Sequence, residues 1–195
     1  MSITDTDVQD QADMERLMAG QDAALNALME RHAGPIFQFI FRMLGDLDEA
    51  NDLAQETFLR LYRSRESFHL GSRFTTWLYT IAANLARNHL RWRSRRPNLS
   101  LDAESPATGQ TLSEVLPSNS VNPGESAESA ELHQAVRAAV AGLPEDMRES
   151  IVLCEWENLS MAEAAVILNT TPKAVENRLY RARKLLRERL GKVLA

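Results

Sequence analysis

The chain has 195 residues, 44% of them hydrophobic, enough for one ordinary domain or two small ones with buried cores. No window approaches the roughly 20 apolar residues that span a bilayer, and the opening MSITDTDVQDQAD lacks the basic and apolar regions of a signal peptide, so a cytoplasmic protein without membrane insertion is expected. The lone Cys154 excludes an internal disulfide, and with His32, His69, His89 and His133 it shows no zinc-ligand spacing, so neither metal nor cofactor is expected.

A formal net charge of −5 hides a segregation along the chain. From Arg60 through Arg96 nine arginines face one acid, Glu66. Residues 97–131 carry six acids and no Lys or Arg, and from Thr171 through Lys192 eight basic residues face Glu176 and Glu188. Within the first basic block, ARNHLRWRSRR (86–96) gathers five arginines and a tryptophan, whereas an ordinary solvated helix face mixes its signs.

Periodicity is helical almost throughout, and no stretch alternates with a two-residue period between hairpin turns, so an all-α fold of two small helical domains is expected. The N-terminal run of acids before Gln21 has no functional explanation at this level. A first strong helix is predicted from Ala23 to Leu44, stopped by Gly45. Asp46 or Asp48 caps a second, with Leu47, Ala50, Leu53, Ala54, Phe58 and Leu61 on one face. After a loop around Ser67 to Ser72, a third runs from about Phe74 to Arg93, with Trp77, Leu78, Ile81, Leu85 and Leu90 toward the core. Asn84, Arg87, Asn88 and Arg91 recur at three- and four-residue steps and share a face suited to bases and backbone. Phe74 and Trp77 read better as core than as stacking surfaces; His69 and Trp92 stay open.

The segment that begins at Pro97 is rich in Ser, Pro, Asn and Gly and too poor in apolar residues to offset ordering entropy, which predicts a flexible acidic linker over 97–129 between domains at 1–96 and 130–195. In the second domain one helix is expected to about Gly142, then a break at Leu143-Pro144 and a helix through about Glu155. Ser160 with Glu163 forms a capping box, Asn169 suits the left-handed stop, and Thr171 caps a helix with Pro172 at its first position. Helix, tight turn, helix is the arrangement that offers a second helix to the DNA major groove. Val175, Leu179, Ala182, Leu186 and Leu190 then face inward, leaving Lys173, Glu176, Asn177, Tyr180, Arg181 and Lys184 outside.

GDLDEANDLAQETFLRLYR (45–63), SRFTTWLYTIAANLARNHLRWRSRR (72–96) and the stretch from LPEDMRES to KLLRE (143–188), in that order, resemble the extracytoplasmic-function group of bacterial RNA polymerase sigma factors. The resemblance implies a non-enzymatic subunit that directs core RNA polymerase to promoters. It places polymerase binding on Asp52, Gln55 and Glu56, which dock on a coiled coil of the largest subunit. Capture of the unwound non-template strand falls to His69, Arg73, Asn84, Arg87, Asn88, Arg91 and Arg95, with one base pulled into a pocket near 67–72. Reading of the upstream element as duplex falls to Thr171, Lys173, Glu176, Asn177, Arg178, Tyr180, Arg181 and Lys184. The linker would enter polymerase channels, and an anti-sigma factor is implied by analogy. Melting DNA costs about 1.4 kcal/mol of stacking per base-pair step, which cationic and base contacts from 86–96 would offset. Glu176 and Asn177 depart from the group, whose members usually carry Lys or Arg and a small hydroxyl residue there.

Overall fold

The structure is a computed structural model that describes residues 5–95 and 127–191. Most of the expected linker, and Arg96, lie outside the described residues. Within them the chain is all helical: α1 (Asp5–Met18), α2 (Ala23–Leu44), α3 (Leu47–Arg63), α4 (Phe74–Arg95), α5 (Ala127–Ala141), α6 (Glu145–Ile151), α7 (Met161–Ile167) and α8 (Pro172–Gly191). A 3-10 turn, Arg65–Ser67, follows α3, and a π-helical turn, Val152–Trp156, extends α6.

Helices α2, α3 and α4 pack together because their apolar stripes are long and in phase. Phe39, Ile40 and Met43 of α2, Ala54 and Leu61 of α3, and Leu78 and Ala82 of α4 are completely buried. Phe39 alone removes enough apolar surface to contribute about 2–3 kcal/mol. Gly45, at φ 77°, closes α2, and Asp46 caps α3 by accepting the Glu49 N–H at 3.0 Å. Leu47 is 60% exposed, unlike its expected facemates, because the packed stripe begins a turn later at Ala50.

The second domain follows its cap signals. Ser160 and Glu163 form the reciprocal capping box, Asn169 stands at φ 48°, and Thr171 Oγ1 accepts the Ala174 N–H at 3.2 Å. Helix α8 packs on α6 and α7, and α7 on the π-helical turn after α6, around Leu153, Ile167, Val175, Leu179 and Ala182. Leu186 and Leu190 are half-buried, and so is Cys154.

Helix α1 is an addition to the sequence reading. It packs on α2 and α4 by burying Met14 and Leu17 together with two acids, Asp10 and Asp13. Arg31 of α2 bridges them, 3.0 Å from Asp10 and 2.6 Å from Asp13, while His32 Nε2 lies 2.9 Å from Asp10. Removing one member of a buried charged cluster strands the others, at about 3–5 kcal/mol. Asp10→Ala is therefore expected to lower unfolding free energy by about 3 kcal/mol in urea titration, against roughly 1 kcal/mol or less for Glu15→Ala on the exposed side of the same helix.

Candidate nucleic-acid interface

Two separated cationic surfaces emerge. On α4, Asn84, Asn88, Arg91 and Arg95 are exposed in one row, with Trp92 48% exposed beside them. Row and ring coincide because the core-facing residues Leu78, Ala82, Leu85 and Ala86 leave that side of the helix outward. Phe74 is buried, and Trp77 packs on Phe68 at 5.1 Å, so both belong to the core; His69 and Trp92 are exposed, the Trp92 ring lying 5.9 Å from that of His89. In the preceding loop His69 is exposed with its Nδ1 3.0 Å from the Ser67 carbonyl, and Leu70 is 52% exposed.

Two cations of the first-domain set are occupied. Arg87 Nε lies 3.0 Å from Glu149 Oε1, its guanidinium donates to the Ile167 carbonyl at 3.2 Å, and it also donates to Asn84 Oδ1 at 2.9 Å. Arg73 bridges Asp7 of α1 at 3.2 Å and Glu163 of α7. Beside them Glu157 accepts from Arg42 at 3.0 Å and from the Tyr79 hydroxyl at 2.5 Å. Arg148 donates back across the same junction, to the Met43 carbonyl, at 2.7 Å. Carboxylates of the second domain thus occupy the guanidinium groups of Arg73 and Arg87. Sequence reasoning missed this because the partners are distant in the chain.

On α8, Thr171, Lys173, Glu176, Asn177, Arg181 and Lys184 are exposed, and Tyr180 is 73% exposed. Their backing is the buried row Val175, Leu179 and Ala182. Glu176 is held 2.7 Å from Lys173, one turn back. Arg178 turns toward α6, 3.4 Å from Asp146, and is half-buried, so it braces the helix rather than standing in the outer row.

On α3, Asp52 is exposed while Gln55 and Glu56 are half-buried, Glu56 pairing with Arg60 at 2.7 Å. Leu59, 50% exposed, lies on the same face. A leucine out of phase with the buried stripe was the available signal for it. No group of three His, Cys, Asp or Glu side chains suited to a metal occurs among the described residues, and no described helix is long and apolar enough to cross a membrane.

The carboxylates that meet Arg73 and Arg87 differ. Burial alone would raise Glu163, but hydrogen bonds from Ser160 and the Arg73 guanidinium outweigh it and hold the carboxyl below its ordinary range. Burial dominates at Glu149, whose Oε1 has no hydrogen bond, and pushes it up to about 7 against the pull of Arg87. A raised carboxyl binds a proton in the folded chain that the unfolded chain has already released. Its stabilising contribution is complete below about pH 4.5 and is lost as pH rises to about 7. Glu149→Gln is expected to abolish that loss, leaving the variant more stable than the parent by on the order of 2 kcal/mol at about pH 8 and little changed at about pH 4.5, as read by urea unfolding at both.

Known proteins bear on these surfaces. The family model for sigma-70 region 2 matches residues 28–96, and that for sigma-70 region 4 matches 133–186. The chain is 34% identical to the ECF RNA polymerase sigma factor SigW of Bacillus subtilis, over 91% of this chain and 94% of the relative. It is 35% identical to the RNA polymerase sigma-H factor of Pseudomonas aeruginosa, over 97% of each. Its fold matches the sigma factor RpoE of Bartonella quintana, solved in complex with the anti-sigma factor NepR, at a TM-score of 0.66 and 25% identity, covering 88% of this chain and 98% of that one. With regions 2 and 4 both present on an all-helical frame, the chain belongs to the extracytoplasmic-function group of RNA polymerase sigma factors, the subunits that direct polymerase to promoters and start transcription there.

Proposed function

We propose that the two cationic surfaces engage one promoter in different physical states. The α4 row Asn84, Asn88, Arg91 and Arg95, joined by Arg73 and Arg87 once their carboxylates are displaced, holds the unwound non-template strand, while His69 and its loop receive an extruded base. The α8 row reads the upstream element as duplex from the major groove. Phosphate contacts set register and base-edge contacts select sequence in that reading. The observation that carries it is the exposure, on a folded helix, of amides, arginines and an indole in one row, a composition suited to unpaired bases.

Core polymerase docks on α3 through Asp52, Gln55, Glu56 and Leu59, the acidic and amide groups supplying specificity and the leucine an apolar anchor. The linker runs through polymerase channels. An anti-sigma factor restrains the protein, by analogy with the Bartonella quintana relative in its complex. The site of action is the cytoplasm, where polymerase and promoter meet.

Purified protein mixed with core polymerase and a library of promoter fragments is expected to give transcripts from a defined promoter set; a folded chain that directs initiation nowhere would overturn the assignment. Asn88→Ala and Arg91→Ala are each expected to reduce open-complex formation by roughly tenfold, equivalent to about 1.4 kcal/mol, with little change in duplex binding by the holoenzyme. Permanganate footprinting beside a filter-binding measurement separates the two.

Glu176→Ala is expected to change base preference at one upstream position, because a carboxylate can accept from cytosine N4. Equal affinity changes across all single-base variants would instead leave Glu176 as the surface partner of Lys173.

A further inference from the structure

The acids and amide of α1 find their use at the loop between α3 and α4. The Gly71 N–H donates to Gln11 Oε1 at 3.2 Å, and Gln11 Nε2 donates to the Ser72 carbonyl. One side-chain amide thereby holds two successive loop residues, engaging a donor on one and an acceptor on the next. Four residues earlier on the same helix face, Asp7 takes the next loop residue, Arg73, at 3.2 Å. Three consecutive positions are fixed from a helix about 60 residues away in sequence.

That helix is itself anchored. Asp10 and Asp13 hold Arg31 and His32, and the His32 ring lies 5.1 Å from Phe74, the first residue of α4. The loop is therefore braced on one side by α1 and on the other by the start of the DNA-facing helix. Within it Ser72 N–H donates to the His69 carbonyl at 2.9 Å, and Gly71 stands at φ 90°, where a side chain would be strained. His69 and Leu70, on the outer part of the turn, remain exposed.

We propose that Gln11 is a positioning residue for base selection: by clamping the Gly71–Ser72 backbone it presets the turn that presents His69 and Leu70 to an unpaired base. The role rests on the reading of this loop as the base-capturing element. Gln11 touches no nucleic acid itself. Its effect is preorganisation, since a loop already held in its binding geometry loses less conformational freedom when the base arrives. Selectivity depends on that preset shape more than overall affinity does, because a loose turn can adjust to wrong bases as well as to the right one.

The test uses the full chain with core polymerase and a promoter set in which each downstream-element base is varied in turn. Gln11→Met keeps the length and packing of the side chain and removes both hydrogen bonds; Gln11→Ala removes the side chain, and thermal unfolding checks that both fold. The parent is expected to discriminate at one position, and both variants to lose at least about fivefold of that discrimination while keeping polymerase affinity and upstream-duplex binding. If the parent discriminates and the variants discriminate equally well, or lose activity evenly over all bases, the positioning role is overturned. If the parent shows no preference anywhere in the element while Asn88→Ala still impairs opening, the base-capture reading of the loop fails, and the role of Gln11 with it.

Discussion

A guanidinium cannot shed its charge, so an arginine that folding draws partly out of water must keep an anion beside it. That constraint organises the junction of this molecule. Arg42, Arg73 and Arg87 of the first domain meet Glu157, Glu163 and Glu149 of the second. Carboxylate and phosphate oxygens offer a guanidinium the same kind of charge-assisted hydrogen bond, so they compete for one position. Any strand that engages Arg73 or Arg87 must displace a carboxylate that is already in contact. Arg91 and Arg95 face water and carry no such requirement. In this arrangement the outer face of α8 stands open while the inner half of the α4 face is covered.

The pairs are unequal in how firmly they hold. Glu163 is tied three ways: its own backbone N–H meets Ser160, its carboxylate accepts from Ser160, and Arg73 completes the set. Its anionic form is the favoured one. Glu149 has Arg87 at contact distance but a buried oxygen without a hydrogen bond, and burial prevails over attraction. Breaking the first pair sacrifices a charge-assisted hydrogen bond to a favoured anion, whereas breaking the second returns a poorly solvated carboxylate to water. Arg87–Glu149 is thus the weaker ion pair of the two, and Arg87 is held also by the Ile167 carbonyl and Asn84.

Much of the fold could be read from sequence because the local signals agree with one another. In α2 to α4 an unbroken apolar stripe meets end signals at Gly45 and Asp46, and in α7 and α8 the Ser160–Glu163 box, Asn169 and Thr171-Pro172 leave little freedom in phase. Once phase is fixed the outer row of α8 follows by geometry. Helix α1 escaped because two of its four buried residues are aspartates, so its inward face reads as polar until Arg31 and His32 are seen beside it. Arg87 has the helical phase of a solvent-facing cation, yet it is turned aside by Glu149, and Arg178, at the edge of the buried row, meets Asp146; both acids come near only after folding. Periodicity specifies which side of a helix is wet, and it is silent on which carboxylate arrives there.

The acidic excess of the chain acquires two separable effects. At long range a net charge of −5 repels duplex DNA, an influence that salt screens. At short range the acids at 7, 10, 13, 149, 157 and 163 all lie against arginines of α2 or α4 or against the loop residue Arg73, and such contacts persist where screening has removed the long-range field. Nonspecific binding scales with the number of phosphates a surface can neutralise, so every arginine already paired removes one counterion-release contribution from that total. The chain therefore lowers its background affinity for DNA by internal neutralisation as well as by repulsion, without giving up the arginines themselves. A ligand that offers several correctly spaced anions together can reclaim them, because it replaces each carboxylate contact with one of the same kind, whereas scattered phosphates encountered one at a time cannot.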